Sequence, residues 1–345
     1  MATMDIFNDN AFSVVELTGV LEKFTHQPAL LGQLGLFTPR PIRGETVGIE
    51  SRAGVLSLIQ TSPRGAPLTE RTTEKRDLRD FRTRRIAKGD TITAAEIQGI
   101  RAFGSESELM QVQAEVARRL AGPTGLIRDI ELTWEHMRLG AVQGIVTDAD
   151  DSLIYNWYTE FGVPQAAEID FDLDNASPES GAVRKKCNQV VRQMMKASAG
   201  AWLPGRTGIL GLCGDNFYDN LTMHPEVRQT YLNTAQASDL RDNAMPYETF
   251  RYGGIAWVNY RGTDDGSTVS IPTDLVKFIP VNTPGVFEVV FSPMESLEFV
   301  NTPGREMYAL QVPDRDRNMF VRIEVYSYPL FMCTRPAMLQ RGKRT

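Results

Sequence analysis

Cysteine and histidine are scarce in this chain, and both shortages narrow what it can do. Only three cysteines occur in 345 residues, Cys187, Cys213 and Cys333, far apart and without a CxxC pair. That argues against a disulfide framework and against a zinc site, and favours reduced thiols packed as small hydrophobes. The three histidines, His26, His136 and His224, fall in separate stretches, with no HExxH motif and no GxSxG elbow. No apolar run reaches the length of a transmembrane helix. The opening MATMDIFNDN has no basic stretch followed by an apolar core, so no secretion signal is expected there, and the producing cell's cytoplasm is the default compartment. Positive charge is not in excess either: 37 Lys and Arg stand against 43 Asp and Glu, for a net charge of −6. A dedicated nucleic-acid binder needs more cations than this. An acidic wall can nonetheless enclose DNA without gripping it.

Motifs that resemble chemistry fail on inspection. Gly205, Gly208, Gly211 and Gly214 are evenly spaced but do not match GxxxxGK[ST], so strand ends and turns explain them. Asp170, Asp172 and Asp174 imitate a calcium loop, yet the sixth position is Asn175 and the twelfth is Gly181. Asp148, Asp150 and Asp151 offer at most a weak cation site. No catalytic, cofactor-binding or metal-binding residue is assigned.

What the chain does contain is a succession of segments unable to fold alone. Ser13-Val14-Val15-Glu16 fits a capping box, followed by Leu17, Leu21 and Phe24 at helical spacing, with a stop near Gln27-Pro28. Leu30 to Phe37 is apolar but broken by glycines, so it needs a larger surface to lie on. Phe12, Leu17, Leu36 and Phe37 are the candidate contacts of this arm. Val47–Glu50 and Val55–Ile59 read as strands. Beyond them Arg64, Arg71, Lys75, Arg76, Arg79, Arg82, Arg84, Arg85 and Lys88 alternate with Glu70, Glu74, Asp77 and Asp80, with few large apolar residues besides Leu68, Leu78 and Phe81. An isolated hairpin is marginal in water. The segment reads as a two-stranded excursion that crosses a neighbouring subunit through mixed-sign pairs. A solvated loop is the plainer alternative, and the interleaved acids weigh against a nucleic-acid patch. The expected contacts are Arg64, Arg71, Lys75, Arg76, Arg79, Phe81, Arg82, Arg84 and Arg85.

Ser105 to Glu108 is a second capping-box match. Leu109, Val112, Val116 and Leu120 then share one helical face, and Ile130, Trp134, Met137 and Ala141 continue it beyond Gly122-Pro123. This predicts one kinked helix or two in series. A hairpin with an acidic turn is expected over 144–157, and a half-buried strand over 169–174. A helix capped by Ser177, with Pro178 at its first position, should bury Val183, Cys187, Val190 and Met194. A buried strand at Gly208–Cys213 follows, then a helix at Pro225–Leu232. Strands are expected at 255–260, 275–279, 287–291 and 320–332, with a turn at Asp264-Asp265-Gly266. Helices alternating with buried strands suggest a sheet covered by helices.

Six segments carry a resemblance: LLGQLGLFTPRP (30–41), QGIVTDADDSLIYNWYTEFG (143–162), HPEVRQTYLN (224–233), FRYGGI (250–255), IPVNTPGVF (279–287) and YPLFMCTRP (328–336). In this order and spacing the chain resembles the lambda-like capsid protein E family of tailed bacteriophages, whose fold is the Hong Kong type. The resemblance implies an α+β subunit with an N-terminal arm (1–43), an extended loop (44–100), a peripheral domain with a spine helix (101–179), an axial domain (180–309) and a C-terminal return to the peripheral domain (310–345). It implies a non-enzymatic major capsid protein, assembled in the host cytoplasm into pentamers and hexamers of a virion head around double-stranded DNA. DNA would be a neighbour by proximity only, and a membrane is not involved. Decoration protein, scaffold and portal are the further partners implied. Gly122 and Pro123 would mark a bend in the spine during expansion. Most of the first hundred residues should then need a sister molecule to cover them. An encapsulin-like nanocompartment shell and an α/β enzyme are the rival readings.

Overall fold

The computed structural model describes residues 26–52, 76–99, 108–232, 249–266, 268–317 and 319–345. Phe12, Leu17, the Ser13 capping box, Val55–Ile59, Arg64, Arg71, Lys75 and the start of the Ser105 capping box lie outside these residues. The side chain of Arg76 is likewise outside the description, although its backbone is within it.

Gly122-Pro123 does not kink one long helix; it separates two. Helix α3 (Glu108–Ala121) ends there and α4 (Leu126–Gln143) begins after a short turn. A Cβ on Gly122 would stand 2.2 Å from the Arg118 carbonyl oxygen, and one on Gly125 would stand 2.7 Å from that of Leu120. The turn is therefore tight enough to demand both glycines. Helix α4 buries Leu126, Ile130, Trp134, Met137, Ala141 and Val142, the periodic face that its sequence announces.

That face meets a layer of short sheets. One joins β1 (Thr38–Pro41), β12 (Phe287–Phe291) and β15 (Pro329–Cys333), with β1 parallel and β15 antiparallel to β12. Another joins β4 (Ile86–Thr93), β14 (Phe320–Ser327) and β13 (Tyr308–Pro313). Two hairpins complete the layer: β2 (Thr46–Arg52) with β3 (Arg76–Arg82), and β5 (Ile145–Thr147) with β6 (Leu153–Asn156). The expected strand at 320–332 is thus two strands, β14 and β15, which part at Tyr328 and enter different sheets. Trp157, expected at the end of the hairpin, instead opens a short helix α5 (Trp157–Phe161), whose first N–H groups are capped by the Asn156 side chain.

The second layer is a six-stranded sheet in the order β7 (Ile169–Asp170), β16 (Gln340–Lys343), β11 (Leu275–Val281), β8 (Gly208–Cys213), β10 (Ile255–Asn259), β9 (Phe250–Tyr252). Strand β8 sits near its middle and is buried from Ile209 to Cys213, as a short apolar run must be when both sheet faces are covered. Helices α6 (Ala182–Ala197), α7 (Asp215–Met223) and α8 (Pro225–Leu232) pack on one face around Phe171, Phe217, Trp257 and Phe278. Leu210, Leu212, Val258 and Ile279 on the other face join the α4 core.

Several local expectations change here. Residues 169–174 alternate in burial as expected, but only Ile169 and Asp170 are strand. Asp172 adopts φ 52° and breaks the pleat, while Phe171 and Leu173 still donate to the Lys343 and Arg344 carbonyls. Helix α6 starts at Ala182 rather than after Ser177. Its first N–H groups, from Val183 and Arg184, are accepted by the Glu226 carboxylate of α8. Asp264-Asp265-Gly266 is a turn, yet β10 and β11 on its two sides are not partners, because both pair with β8. Strand pairing also runs across the expected boundaries at 309 and 310: β12 belongs with β1 and β15, whereas β16 crosses into the six-stranded sheet.

Candidate assembly interface

Among the described residues the hairpin β2–β3 joins no larger sheet. Its register runs from Thr46 opposite Arg82 to Arg52 opposite Arg76, and among the described residues the two strands form a sheet of their own. Its root is sealed to the body by aromatics. Phe81 is buried and meets Tyr155, Trp157 and Phe161 at centroid distances of 5.7, 5.3 and 6.1 Å. Val47, opposite Phe81, is buried too. The Tyr155 hydroxyl donates to the Arg82 carbonyl (3.1 Å) and accepts from the Arg82 N–H (3.0 Å). Away from the root the exposure reverses, and Leu78 is 67% exposed.

The predicted contact residues therefore divide. Phe81 is an internal anchor, not a surface contact. Arg84 lies 5.7 Å over the Tyr155 ring, and its N–H donates to the Pro329 carbonyl. Arg85 lies 5.2 Å over the Tyr326 ring and 3.9 Å from the Glu295 carboxylate. Both cations are exposed, yet both are oriented by their own chain. Arg82 is exposed and Arg79 half-buried, and both belong to the hairpin.

The arm residues also fold inward where they are described. Phe37 packs on Phe287 and Phe331, each at 5.4 Å, and Leu36 joins the same cluster. Helix α1 (Leu30–Gln33) begins on a carboxylate from the spine: Glu135 is fully buried and accepts from the first-turn N–H groups of Leu31 (2.8 Å) and Gly32 (3.1 Å). The Tyr260 hydroxyl (3.2 Å) and the Arg138 guanidinium (3.4 Å) complete its shell. A buried carboxylate is tolerated only when its lone pairs are so occupied. Arg138 also stacks over Trp134 and Phe331. No periodicity marks Glu135 as different from other helical glutamates; only the fold brings its partners to it.

A second ionic cluster joins α3 to β4. Arg119, largely buried, reaches Glu115 (2.6 Å), Asp90 (3.3 Å), Glu96 (3.3 Å) and the Thr91 carbonyl (2.9 Å). Arg118 holds Glu115 from the other side at 2.8 Å. Hydrogen bonds from Arg118 and then Arg119, partly opposed by burial, bring the Glu115 carboxyl down to about 2.

Exposed apolar residues that the sequence reading did not select include Leu297 (95%), Met223, Met319 and Val300. Among the described residues no group of three or more His, Cys, Asp and Glu side chains converges as metal ligands would. His224 is buried as the cap of α8, accepting from the Glu226 N–H at 3.3 Å. His136 faces the Thr147 hydroxyl at 3.2 Å. The three thiols are buried, and among the described residues no helix is long and apolar enough to cross a membrane.

A sealed root, an outlying hairpin and a spine helix between two sheet layers describe a shell-building subunit of the Hong Kong-type capsid class. Among solved structures the chain is similar to the mature capsid of bacteriophage PhiM1 (TM-score 0.54, 11% identity, 96% of this chain and 92% of that one). It is likewise similar to the capsid of cyanophage P-SCSP1u (TM-score 0.52, 13% identity, 97% and 94%). At such identities these likenesses speak for the fold.

The chain belongs to the family described as phage major capsid protein E, whose profile matches residues 13–344. Two curated relatives share its length: the major capsid protein of Salmonella phage Felix O1 (26% identity over 359 residues, 95% of each chain) and that of Pseudomonas phage KPP10 (27% over 355, 97% of each). A major capsid protein of an icosahedral phage capsid is the role that this membership assigns.

Proposed function

We propose that the subunit closes its shell as pentamers and hexamers around double-stranded DNA, with hairpin β2–β3 and the residues between its strands lying across the next subunit of the ring. The observation that supports this most is the asymmetry of the hairpin. Its root is fixed by Phe81 and Val47, while among the described residues its two strands pair only with each other. Strand edges of that kind invite pairing with another chain. Closed symmetry requires the same chain to present complementary surfaces repeatedly. The arm, the loop (44–100), the spine region (101–179), the axial region and the C-terminal return are the working division. The strand pairing supports moving β12 to the spine layer and β16 to the axial one. Decoration protein, scaffold and portal enter through the family resemblance alone, as does assembly in the host cytoplasm. Family membership favours a genome container over a protein-filled nanocompartment, and the contents of purified particles decide between them.

A deletion of 64–88 would remove Phe81 and part of β4, and so would damage the core. The cleaner test excises 53–75 and joins Arg52 to Arg76, which are paired across the hairpin, with a two-residue Asn-Gly turn. The expected product is a folded, soluble chain that forms no shells in electron micrographs. Normal particles from this variant would refute the assigned role of the hairpin.

A further inference from the structure

Helix α6 carries five basic residues, Arg184, Lys185, Lys186, Arg192 and Lys196, and no acid, although acids outnumber bases in the chain as a whole. Val183, Cys187, Val190 and Met194 hold its inner face at zero exposure. Lys185, Gln189, Arg192 and Lys196 follow at spacings of four, three and four, and all are exposed. That is one stripe on a helix, about 16 Å long at the usual rise per residue. Lys185 has a single long ion pair, 3.9 Å to Glu179, and among the described residues Lys186, Arg192 and Lys196 have none. Arg184 is turned aside, over the Tyr252 ring at 5.9 Å.

We infer that this stripe is the subunit's contact with the phosphate backbone of the packaged duplex, an inference that rests on the shell reading above. The chemistry of the face selects the partner. Cations interleaved with the amides of Asn188, Gln189 and Gln193 supply donors for phosphate oxygens and carry nothing that reads base sequence. A protein partner would call for exposed apolar anchors at the centre of the patch; Met195 is exposed there, whereas Val191 and the neighbouring Trp202 are half-buried against the core. The stripe's three cations, with the half-buried Lys186 beside them, hold DNA loosely in an otherwise acidic chain, so that it can still slide.

The test uses the full-length chain and a fluorescent duplex of arbitrary sequence, titrated by anisotropy across salt concentrations. Four neutralised phosphates give a log–log salt slope of about −3.6, and about a hundredfold loss of affinity between 50 and 200 mM salt. The variant Lys185→Gln, Lys186→Gln, Arg192→Gln, Lys196→Gln keeps good helix formers at three exposed positions and one half-buried one and should flatten that slope by about 3.6. Replacing the three lysines by arginine should preserve it, and neutralising Arg43, Arg315 and Arg317 elsewhere should leave it unchanged. In particles, Lys185, Lys186 and Lys196 should react with a small amine reagent in empty shells and be protected in filled ones. An unchanged slope in the four-fold variant, an equal loss in the control, or equal labelling of empty and filled shells would each overturn the inference. The titration is read on the unassembled chain, so a failure to form shells counts against the shell reading alone.

Discussion

Replacing Phe81 by alanine should undock the hairpin without unfolding the subunit. A buried phenylalanine cut to alanine costs about 3–5 kcal/mol, which includes the edge-on contacts with Tyr155 and Trp157. Against this stands little that is local. The paired strands of β2 and β3 are a two-stranded sheet, marginal by itself, and the Tyr155–Arg82 pair contributes about 1 kcal/mol per hydrogen bond. The buried Val47 adds about 1.5–3 kcal/mol to what remains, so the penalty matches what holds the hairpin and its release is the expected local response. Helix α4 keeps Trp134, Met137 and Val142 buried throughout. Hydrogen exchange with mass spectrometry should show lost protection in 46–49 and 78–82, with 126–143 protected as in the parent. Shell assembly should fail in parallel. Phe81→Leu, which refills most of the space, should restore both. If α4 and the hairpin lose protection together, Phe81 is part of one cooperative core and the reasoning is wrong; unchanged exchange at 46–49 would refute it equally.

Other outcomes follow from the same geometry. The Glu115 carboxyl is held at about 2 when folded, against an ordinary 4.5, so its stabilisation is complete above pH 4.5 and is lost as the pH falls from there to about 2. It amounts to at most about 3 kcal/mol; the stability gap between parent and Glu115→Gln in urea melts should close at the acid end, and a constant gap would contradict this. Gly122→Ala should destabilise by about 1–3 kcal/mol, since its methyl would collide with the Arg118 carbonyl, and thermal melts would reveal it. Pro123→Ala should instead leave the melting temperature nearly unchanged while altering the expansion of assembled particles, and identical expansion kinetics would remove the hinge from consideration. Burial pushes the Cys187 and Cys333 thiols up to about 12 and raises Cys213 as well, so none of the three should be alkylated in the native chain at neutral pH, and all three should be in denaturant.

Local patterns made part of this fold legible. The period of Val183, Cys187, Val190 and Met194, the apolar run of β8 and the acidic turn between β5 and β6 each encode their structure within a few residues. What escaped is fixed from afar. Strand β1 reads TPRP and β16 reads QRGK, sequences with no strand signature of their own. Each is strand because distant chain offers it an edge, β12 for one and β11 with β7 for the other. Helix α7 was missed in the short interval between β8 and α8, and the start of α6 was misplaced because its cap comes from Glu226 rather than from a preceding serine. The interface suffered most. The expectation that most of the first hundred residues need a sister molecule treated their apolar side chains as uncovered. Leu31, Val47, Phe81 and Ile92 prove to belong to the subunit's own core. Mixed charge located the hairpin; it could not say which of its residues face inward.

Between the α4 layer and the six-stranded sheet, the described backbone passes three times: from α5 to β7, from β11 to β12 and from β15 to β16. A body sewn together by repeated stitches resists opening like a book, because any opening would expose the apolar core that α4 shares with Leu210, Leu212, Val258 and Ile279. Each subunit then behaves as a stiff tile. Changes in the size of a container made of such tiles are then taken up by tilting them against one another.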